Sequence, residues 1–210
     1  MSDFERLLDG LAPNWQRQLD AVLGARIDSE RNRGLRDEIV RRFFAQLLTD
    51  DERAKLLGLP ASCRVRENTK VLMPENLRCG QHVWIGENAY LDASGGLEIG
   101  DHATVGVGVF VWTHTSVLAN LLAANEPGGA HVIRRPVKIG NRCYIVGPSV
   151  INPGVTIGDG ALVLPMTVVT KDVPAGAVVA GAPAEVKSQV EEAFVERLRA
   201  ELRAQHTAKP

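Results

Sequence analysis

The residue best suited by type and position to acid–base chemistry is His114, one of five histidines in this 210-residue sequence. An unperturbed histidine titrates near pH ~6.5, so its neutral ring can take a proton from a hydroxyl group at neutral pH. His114 lies near the start of residues 112–136, a stretch that interrupts an otherwise regular repeat. Because long loops on rigid scaffolds commonly carry function, this position predicts a general base. A surface histidine without a role is the alternative, and His131 in the same stretch is a second candidate for the base.

The interrupted repeat has a period of six. Large aliphatic residues occupy every sixth position late in the sequence, at Ile139, Ile145, Ile151, Ile157, Val163 and Val169. The same spacing runs upstream through Cys79, Ile85 and Leu91, slips by two residues, and resumes at Ile99, Val105 and Val111. A small or β-branched residue usually stands two positions before each of these, and glycine often follows. A period of six fits neither an α-helix nor a single strand, and it indicates a coil of very short strands.

In such a coil each hexad supplies one short strand and one corner, and three corners close a triangular turn. We expect the large aliphatic residue to fill the corner from inside and the smaller residue also to point inward. Stacked turns pair every strand with those above and below, so that only the two ends remain as edges. We expect the glycine after the corner to provide the positive φ that a tight turn can demand.

Composition limits the kinds of partner and compartment. The formal net charge is −1, so no basic surface for nucleic acid is predicted. No apolar run approaches the roughly 18–20 residues that span a membrane, and the first residues lack the order of a signal peptide. Cys79 and Cys143 fall on inward positions, where we expect small packing residues and no disulfides. These features predict a cytoplasmic protein without membrane insertion.

The sequence divides into a helical region, a coil with a protruding loop, and a C-terminal helix with a tail: residues 1–60, 63–183 with the loop 112–136, and 184–210. Capping boxes are predicted to begin helices at Ser2 and Thr49, and Asn14 is a further N-cap. Apolar residues between Leu35 and Leu48 recur at intervals of three and four, which predicts an amphipathic helix. A stripe of apolar residues at every fourth position begins at Val186 and predicts the last helix.

Residues Ile139–Val186 resemble the hexapeptide-repeat acyltransferases. They are most similar to the sugar O-acetyltransferase branch, which includes galactoside and maltose acetyltransferases, in the phrases INPGVTIGD, VTKDVP and VVAGAPA. The resemblance implies a mainly β fold, a left-handed parallel β-helix, here with an N-terminal helical region and a C-terminal α-helix. It also implies a homotrimer with active sites between neighbouring subunits. The implied activity is transfer of an acetyl group from acetyl-CoA to a sugar hydroxyl of a saccharide or surface-polysaccharide precursor, without a metal.

The resemblance also assigns residues to the reacting groups. The family's catalytic histidine stands at the position of His114. Gly147 matches the glycine whose amide faces the developing oxyanion, and Tyr144 stands where many relatives have a tryptophan beside the thioester. Asn88 matches an asparagine near the acceptor, and a purely structural place in a turn is the alternative for it.

For the donor, Thr170 and Lys171 match positions that meet the nucleotide end of CoA, where a cation near phosphate is useful. Two departures from the family pattern concern the same ligand. Leu164–Met166 replaces a run of small residues, and the proline within it has no amide to offer to pantetheine. Glu185 stands where a basic residue often meets phosphate, and Lys187 is a cation that can compensate.

Other functions stay open at this point. N-acetylation of an amino or nucleotide sugar differs only in the acceptor, and a non-catalytic β-helix binding or scaffold protein is compatible with the two departures. Zinc catalysis, as in the γ-class carbonic anhydrases that share this coil, needs three histidines, and His114 and His131 have no close third. Acylation of Cys143 is disfavoured by its inward position.

Overall fold

The computed structural model describes residues 30–124 and 130–207, and the predicted caps at Ser2 and Asn14 lie outside them. The chain divides into two compact units with the boundary between Leu47 and Leu48. In the first unit, helix α1 spans Glu30–Ala45. No helix in the described residues is both long enough and apolar enough to span a membrane.

The second unit begins with helix α2, Asp50–Leu56. The backbone N–H of Thr49 donates to the Glu52 carboxylate at 2.8 Å, as the capping box predicts. The guanidinium of Arg53, which is buried in spite of its charge, donates to the carbonyl of Val65 at 2.8 Å. This hydrogen bond fixes α2 to the first turn of the coil.

The coil that follows is built almost entirely from strands of two or three residues. In chain order they are β1 (Arg64–Val65), β2 (Lys70–Leu72), β3 (Leu77–Cys79), β4 (Trp84–Ile85), β5 (Tyr90–Asp92), β6 (Leu97–Ile99), β7 (Thr104–Val105), β8 (Phe110–Val111), β9 (His114–Thr115), β10 (Ile133–Arg134), β11 (Val137–Ile139), β12 (Tyr144–Ile145), β13 (Val150–Ile151), β14 (Thr156–Ile157), β15 (Leu162–Val163), β16 (Val168–Val169), β17 (Ala177–Ala180) and β18 (Glu185–Gln189). The remaining elements are a 3-10 turn at Pro74–Asn76, helix α3 (Val117–Leu121) and helix α4 (Glu192–Thr207).

Parallel pairing arranges these strands into three sheets, one on each face of a triangular coil. Face 1 contains β1, β4, β7, β12, β15 and β17, face 2 contains β2, β5, β8, β13 and β16, and face 3 contains β3, β6, β11 and β14. We name the corners by the faces that they join: 1/2, 2/3 and 3/1. The predicted parallel β-helix with flanking helices is confirmed.

The core consists of the two sequence tracks, as predicted. Every large corner residue from Ile85 onward is buried, and Cys79 is half-buried. The second track is buried as well, at Val83, Ala89, Ala103, Val109, Val137, Cys143, Ser149, Val155, Ala161 and Thr167. The cysteines are free thiols, and Cys143 donates its S–H to the carbonyl of Gly158 at 3.1 Å.

The glycines after the corner residues have a different role from the predicted one. None of Gly80, Gly86, Gly100, Gly106, Gly140 and Gly158 has a positive φ, so that expectation is wrong. A Cβ at any of them would lie 2.3–2.6 Å from an atom of the neighbouring coil. These positions therefore require glycine because the backbones of stacked corners approach closely. The positive φ falls two residues later, as at His82 and Asn88, where it is 57°.

All departures from the hexad lie on corner 2/3. Val71 and Cys79 are eight positions apart, as are Leu91 and Ile99 in the next turn. The third turn carries the long excursion of residues 112–136 between β8 and β11 at this same corner. Within the excursion, β9 and β10 pair as an antiparallel ribbon. The chain thus keeps two corners regular and varies the third, where side chains can be arranged without disturbing the core.

The C-terminal region differs from the predicted helix at its start. Val186 lies in β18, which pairs antiparallel with β17, and α4 begins only at Glu192. The last turn of a β-helix leaves an unpaired strand edge, and an added antiparallel strand covers it. The four-residue spacing that begins at Val186 is therefore shared between a strand and a helix.

Candidate active site

Corner 2/3 brings His114 onto a buried carboxylate. Nδ1 of His114 lies 2.6 Å from Oδ2 of Asp92, which stands at the end of β5 in the turn below. Asp92 is fully buried, whereas the side chain of His114 is 30% exposed. The hydroxyl of Ser94 lies 3.1 Å from the same Nδ1. One ring nitrogen of His114 is thus occupied within the fold, and the ring remains accessible from outside.

Asp92 is surrounded by hydrogen-bond donors. Its Oδ2 accepts the backbone N–H of Thr113 at 2.9 Å and the Thr113 hydroxyl at 3.1 Å, and its Oδ1 accepts the backbone N–H of Ser94 at 2.9 Å. Burial by itself raises the pKa of Asp92, but hydrogen bonds from Ser94, Thr113 and His114 outweigh it and lower the pKa to about 2. Asp92 is therefore a carboxylate at neutral pH.

An ionised carboxylate at Nδ1 determines which nitrogen of His114 carries the proton. Because the carboxylate of Asp92 can only accept hydrogen bonds, the neutral ring places its proton on Nδ1. The lone pair is then on Nε2, the nitrogen that Asp92 does not contact. This is the tautomer and orientation that a general base requires.

Sequence reasoning identified His114 but not the residues that orient it. Asp92, Ser94 and Thr113 were not among the predicted site residues. The available signal was the two-residue slip of the hexad after Leu91, because those extra residues form the turn that holds Asp92 and Ser94. Glycine is needed there as well, since a Cβ at Gly95 would lie 2.3 Å from the carbonyl oxygen of Thr113.

Three other predicted site residues lie away from His114 in this chain. Tyr144 is in β12 on face 1 and is exposed. Gly147 and Asn88 both lie on corner 1/2, at the opposite edge of face 2 from His114. A face of one hexad spans at most about 20 Å. None of the three forms a hydrogen bond with His114, so a single chain does not assemble the predicted set.

Gly147 combines a close approach with an unused amide. A Cβ at this position would lie 1.6 Å from the carbonyl oxygen of Val107 in the turn below, so no other residue fits. Among the described residues, no acceptor takes a hydrogen bond from its backbone N–H. The predicted oxyanion role of Gly147 stays a prediction that this geometry permits.

The residues predicted for CoA lie near the end of the coil. Thr170 and Lys171 are exposed on corner 2/3, two turns beyond His114. Lys187 does not act as an independent cation, because its Nζ lies 2.7 Å from Oε2 of Glu185 within β18. The hydrogen bond from Lys187 lowers the pKa of the Glu185 carboxyl. Lys187 and Glu185 thus form an exposed ion pair within β18.

The departure at Leu164–Met166 removes amides from corner 1/2. The N–H of Leu164 donates to the Val179 carbonyl at 2.9 Å, and that of Met166 donates to the Pro148 carbonyl at 2.7 Å. The proline between them has no N–H. This segment therefore offers a ligand mainly apolar contact, and the side chain of Met166 is 73% exposed.

The structure offers less support for His131 as the base, for Cys143 as a nucleophile and for a metal site. His131 is exposed and forms no hydrogen bond or ion pair with a described residue. Burial raises the pKa of the Cys143 thiol, which leaves it poorly nucleophilic. Within residues 30–124 and 130–207, no three His, Cys, Asp or Glu side chains are grouped so that they could hold a metal ion.

Comparison with known proteins agrees with this description. A family profile described as the hexapeptide repeat of succinyl-transferase matches residues 77–112 and 136–164. In sequence and fold the chain resembles the hexapeptide-repeat acyltransferases. It is 36% identical over 133 residues to galactoside O-acetyltransferase of Escherichia coli, which covers 60% of this chain and 63% of that protein. It is 29% identical over 124 residues to the putative colanic acid biosynthesis acetyltransferase WcaF of the same organism, covering 58% and 63%.

A solved structure extends the likeness over more of the chain. The hexapeptide-repeat acetyltransferase from Vibrio cholerae in complex with acetyl coenzyme A superposes with a TM-score of 0.67 at 27% identity. The match covers 80% of this chain and 95% of that one. This chain spans less than two thirds of the length of the two curated relatives from Escherichia coli. The predicted resemblance to the hexapeptide-repeat acyltransferases is confirmed.

Proposed function

We propose that this protein is an acetyl-CoA-dependent O-acetyltransferase that acts on a sugar hydroxyl, with His114 as the general base. The observation that carries the proposal is the 2.6 Å contact between Nδ1 of His114 and the buried carboxylate of Asp92. This contact orients the ring and leaves Nε2 as the nitrogen that can accept a proton from a substrate. The similarity to galactoside O-acetyltransferase and to an acetyltransferase bound to acetyl-CoA supports both the acceptor class and the donor.

The proposed reaction is a direct transfer. Nε2 of His114 takes the proton of the acceptor hydroxyl as its oxygen attacks the thioester carbonyl carbon. The carbon–sulfur bond then breaks, and the CoA thiolate takes up the proton from the imidazolium of His114. Asp92 remains ionised throughout and stabilises the transient positive charge on the ring. The Gly147 amide is proposed to donate to the oxyanion of the tetrahedral intermediate.

This mechanism needs more than one copy of the chain. His114 and Thr170–Lys171 lie on corner 2/3, whereas Gly147 and Asn88 lie on corner 1/2 of the same coil. If corner 2/3 of one subunit meets corner 1/2 of the next around a threefold axis, the two sets come together. Face 2 of each subunit then lies toward that axis. We propose a homotrimer with three such sites, with Tyr144 beside the thioester and Asn88 near the acceptor.

The outward side chains of face 2 support this assembly. Its outward row is uncharged after its first member and consists of Lys70, Tyr90, Phe110, Val150 and Val168. The corresponding row on face 3 is charged and exposed, with Glu98 and Lys138 forming a 3.0 Å ion pair. An uncharged, largely apolar row is suited to a subunit interface. Face 1 also has an uncharged outward row after Arg64, so the choice of face 2 rests on the positions of His114 and Gly147 at its two edges.

The residues at the proposed donor path partly fit CoA. Lys171 is exposed and unpaired among the described residues, so it can meet a phosphate, and Thr170 adds a hydroxyl. Lys187 is neutralised by Glu185, and Leu164–Met166 provides apolar contact in place of amides. We infer that CoA is held by Thr170 and Lys171 on corner 2/3 of one subunit and by van der Waals contact with Met166 on corner 1/2 of the next, and that Lys187 contributes little while Glu185 is ionised.

The test is a turnover screen with acetyl-CoA across free sugars, nucleotide sugars and polysaccharide fragments. Release of the CoA thiol measures the turnover. The proposal predicts acetylation of a hydroxyl in at least one of them, with loss of turnover in His114→Ala. Exclusive acetylation of an amino sugar on nitrogen would replace the O-acetyltransferase assignment. No turnover and no thermal shift with acetyl-CoA would indicate a non-catalytic β-helix protein.

A further inference from the structure

Two arginines of the excursion lie next to the proposed base. Arg134 stands directly opposite His114 in the antiparallel pairing of β9 and β10. Directly opposite residues of such a pair project from the same side of the ribbon, with Cβ atoms about 5 Å apart. The guanidinium of Arg134 is therefore on the His114 side of the ribbon and within reach of a molecule bound at Nε2.

Arg135 is held at the same corner by its backbone and its aliphatic chain. Its N–H donates to the carbonyl of Thr113 at 2.8 Å. Its side chain passes over Gly154 in the next turn, where a Cβ would lie 3.2 Å from Cδ of Arg135. The lack of a side chain at Gly154 leaves room for the arginine along the corner.

Neither guanidinium is neutralised within the described residues. Arg134 and Arg135 are exposed, and neither forms an ion pair or a side-chain hydrogen bond with a described residue. Some other cations of the coil are paired, as Arg66 is with Glu87 at 2.7 Å, whereas Lys171 and Arg142 form no ion pair with a described residue. The carboxylate of Asp92 is buried and already accepts hydrogen bonds from three residues. Arg134, which is unpaired on the His114 side of the ribbon, therefore offers a binding group for an anion, and Arg135 adds a second positive charge at the same corner.

We propose that Arg134, assisted by Arg135, binds an anionic group of the acceptor, so that the acceptor is an acidic or a phosphorylated saccharide. This inference rests on the proposed function, because it names the substrate class of the same site. A guanidinium offers two parallel donors that match a carboxylate or a phosphate. Binding of this anionic group would position the acceptor so that its reacting hydroxyl lies next to His114.

The phosphates of CoA are the other possible source of this anion, and the geometry favours the acceptor. The sulfur of CoA must approach His114, and the long pantetheine arm then separates the phosphates from that point. Lys171, the cation assigned to the nucleotide end, lies two turns further along corner 2/3, a distance of about 10 Å. A phosphate of CoA therefore belongs near Lys171, and the anion near Arg134 belongs to the acceptor.

The test compares Arg134→Gln with the matched control Arg142→Gln, which removes an exposed arginine from corner 3/1 of the same coil. Titration calorimetry would measure the binding of glucuronate, glucose 6-phosphate and glucose to each protein. We expect at least one anionic sugar to bind the wild-type protein tenfold or more tightly than glucose. Arg134→Gln should abolish that preference, and Arg142→Gln should retain it.

Two results would overturn the inference. One is equal binding of the neutral and both anionic sugars by the wild-type protein. The other is an Arg134→Gln protein that binds the sugars normally but binds acetyl-CoA several-fold more weakly, which would assign the arginine to a CoA phosphate. Failure of the proposed function has a different signature, namely anion-dependent sugar binding with no acetyl transfer to any saccharide in the screen.

Discussion

Asp92 and His114 lie in successive turns of the coil and meet at its one irregular corner, with Oδ2 and Nδ1 2.6 Å apart. Asp92 ends a strand of face 2, and His114 begins the ribbon that leaves the coil one turn later. The corner excludes water from the carboxylate but leaves the histidine ring accessible. A regular hexad could not build this pair, because six residues leave no room for the turn that holds Asp92.

The first prediction concerns the base itself. His114→Ala should lower kcat by roughly 10²–10⁴-fold, the usual contribution of a positioned general base. Circular dichroism should be unchanged, because His114 lies outside the core. Steady-state kinetics on the acceptor from the screen would measure the effect, with His131→Ala as the control. A loss below about threefold in His114→Ala would remove His114 from the mechanism.

The second prediction separates Asp92 from the base that it orients. In Asp92→Asn one oxygen becomes an NH₂ group, which cannot accept the hydrogen bonds that Asp92 receives. If that group faces Nδ1, the ring proton moves to Nε2 and the base is lost. We expect kcat to fall by roughly 10²–10⁴-fold with little change in KM for acetyl-CoA. Asp101→Asn, the same change on corner 3/1, should retain activity, and equal losses in both variants would contradict the assignment.

The third prediction concerns stability in acid. The pKa of Asp92 is about 2 in the folded protein and 3.8 in a model carboxyl group. A lowered pKa means that the ionised form stabilises the fold above pH 4 and that this stabilisation is lost as the pH falls toward 2. The difference in unfolding free energy between the wild type and Asp92→Asn should therefore shrink by about 1–2 kcal/mol over that range. Urea unfolding at several pH values measures it, and parallel curves would contradict it.

The sequence predicted the coil better than the site because the two depend on different information. The corner residues and the smaller inward residues are set by local packing, which repeats every six positions and is visible in one chain. The contact of Asp92 with His114 joins positions 22 apart through an irregular turn. No periodicity encodes that distance, although the slip after Leu91 marked the place.

Two further differences have local causes. The glycines after the corners were expected to adopt a positive φ. They are required instead because stacked backbones approach closely there, and this short distance exists only in the closed coil. The strand at Val186 was predicted to be helical, because spacing alone does not reveal that β17 has an edge to cover. The assembly of His114 with Gly147 stays a prediction, since it involves a second chain.

The fourth prediction concerns that assembly. Light scattering should give a particle of three times 22.7 kDa, about 68 kDa, at micromolar concentration. Phe110→Asp places a charge in the outward row of face 2 and should dissociate the particle with loss of activity. Thr156→Asp, the same new residue in the outward row of face 3, should leave it intact. A monomeric wild type would contradict both the trimer and the shared site.

The last prediction concerns the donor. Lys171 is exposed and has no anionic partner among the described residues, whereas Lys187 is held by Glu185 at 2.7 Å. Contacts with the nucleotide end are the same in the ground state and the transition state, so they change KM and leave kcat alone. Lys171→Ala should therefore raise KM for acetyl-CoA several-fold at similar kcat.

Glu185 offers the complementary test, because its removal should act in the opposite direction. Glu185→Gln releases Lys187, and Glu185→Arg also adds a fork of donors, so KM for acetyl-CoA should fall in both and further in the second. Glu75→Gln, on the 3-10 turn of the first coil, serves as the control for loss of an acidic charge. If neither the Lys171 nor the Glu185 variants change KM, CoA passes neither Lys171 on corner 2/3 nor Glu185 in β18, and the proposed donor path is wrong.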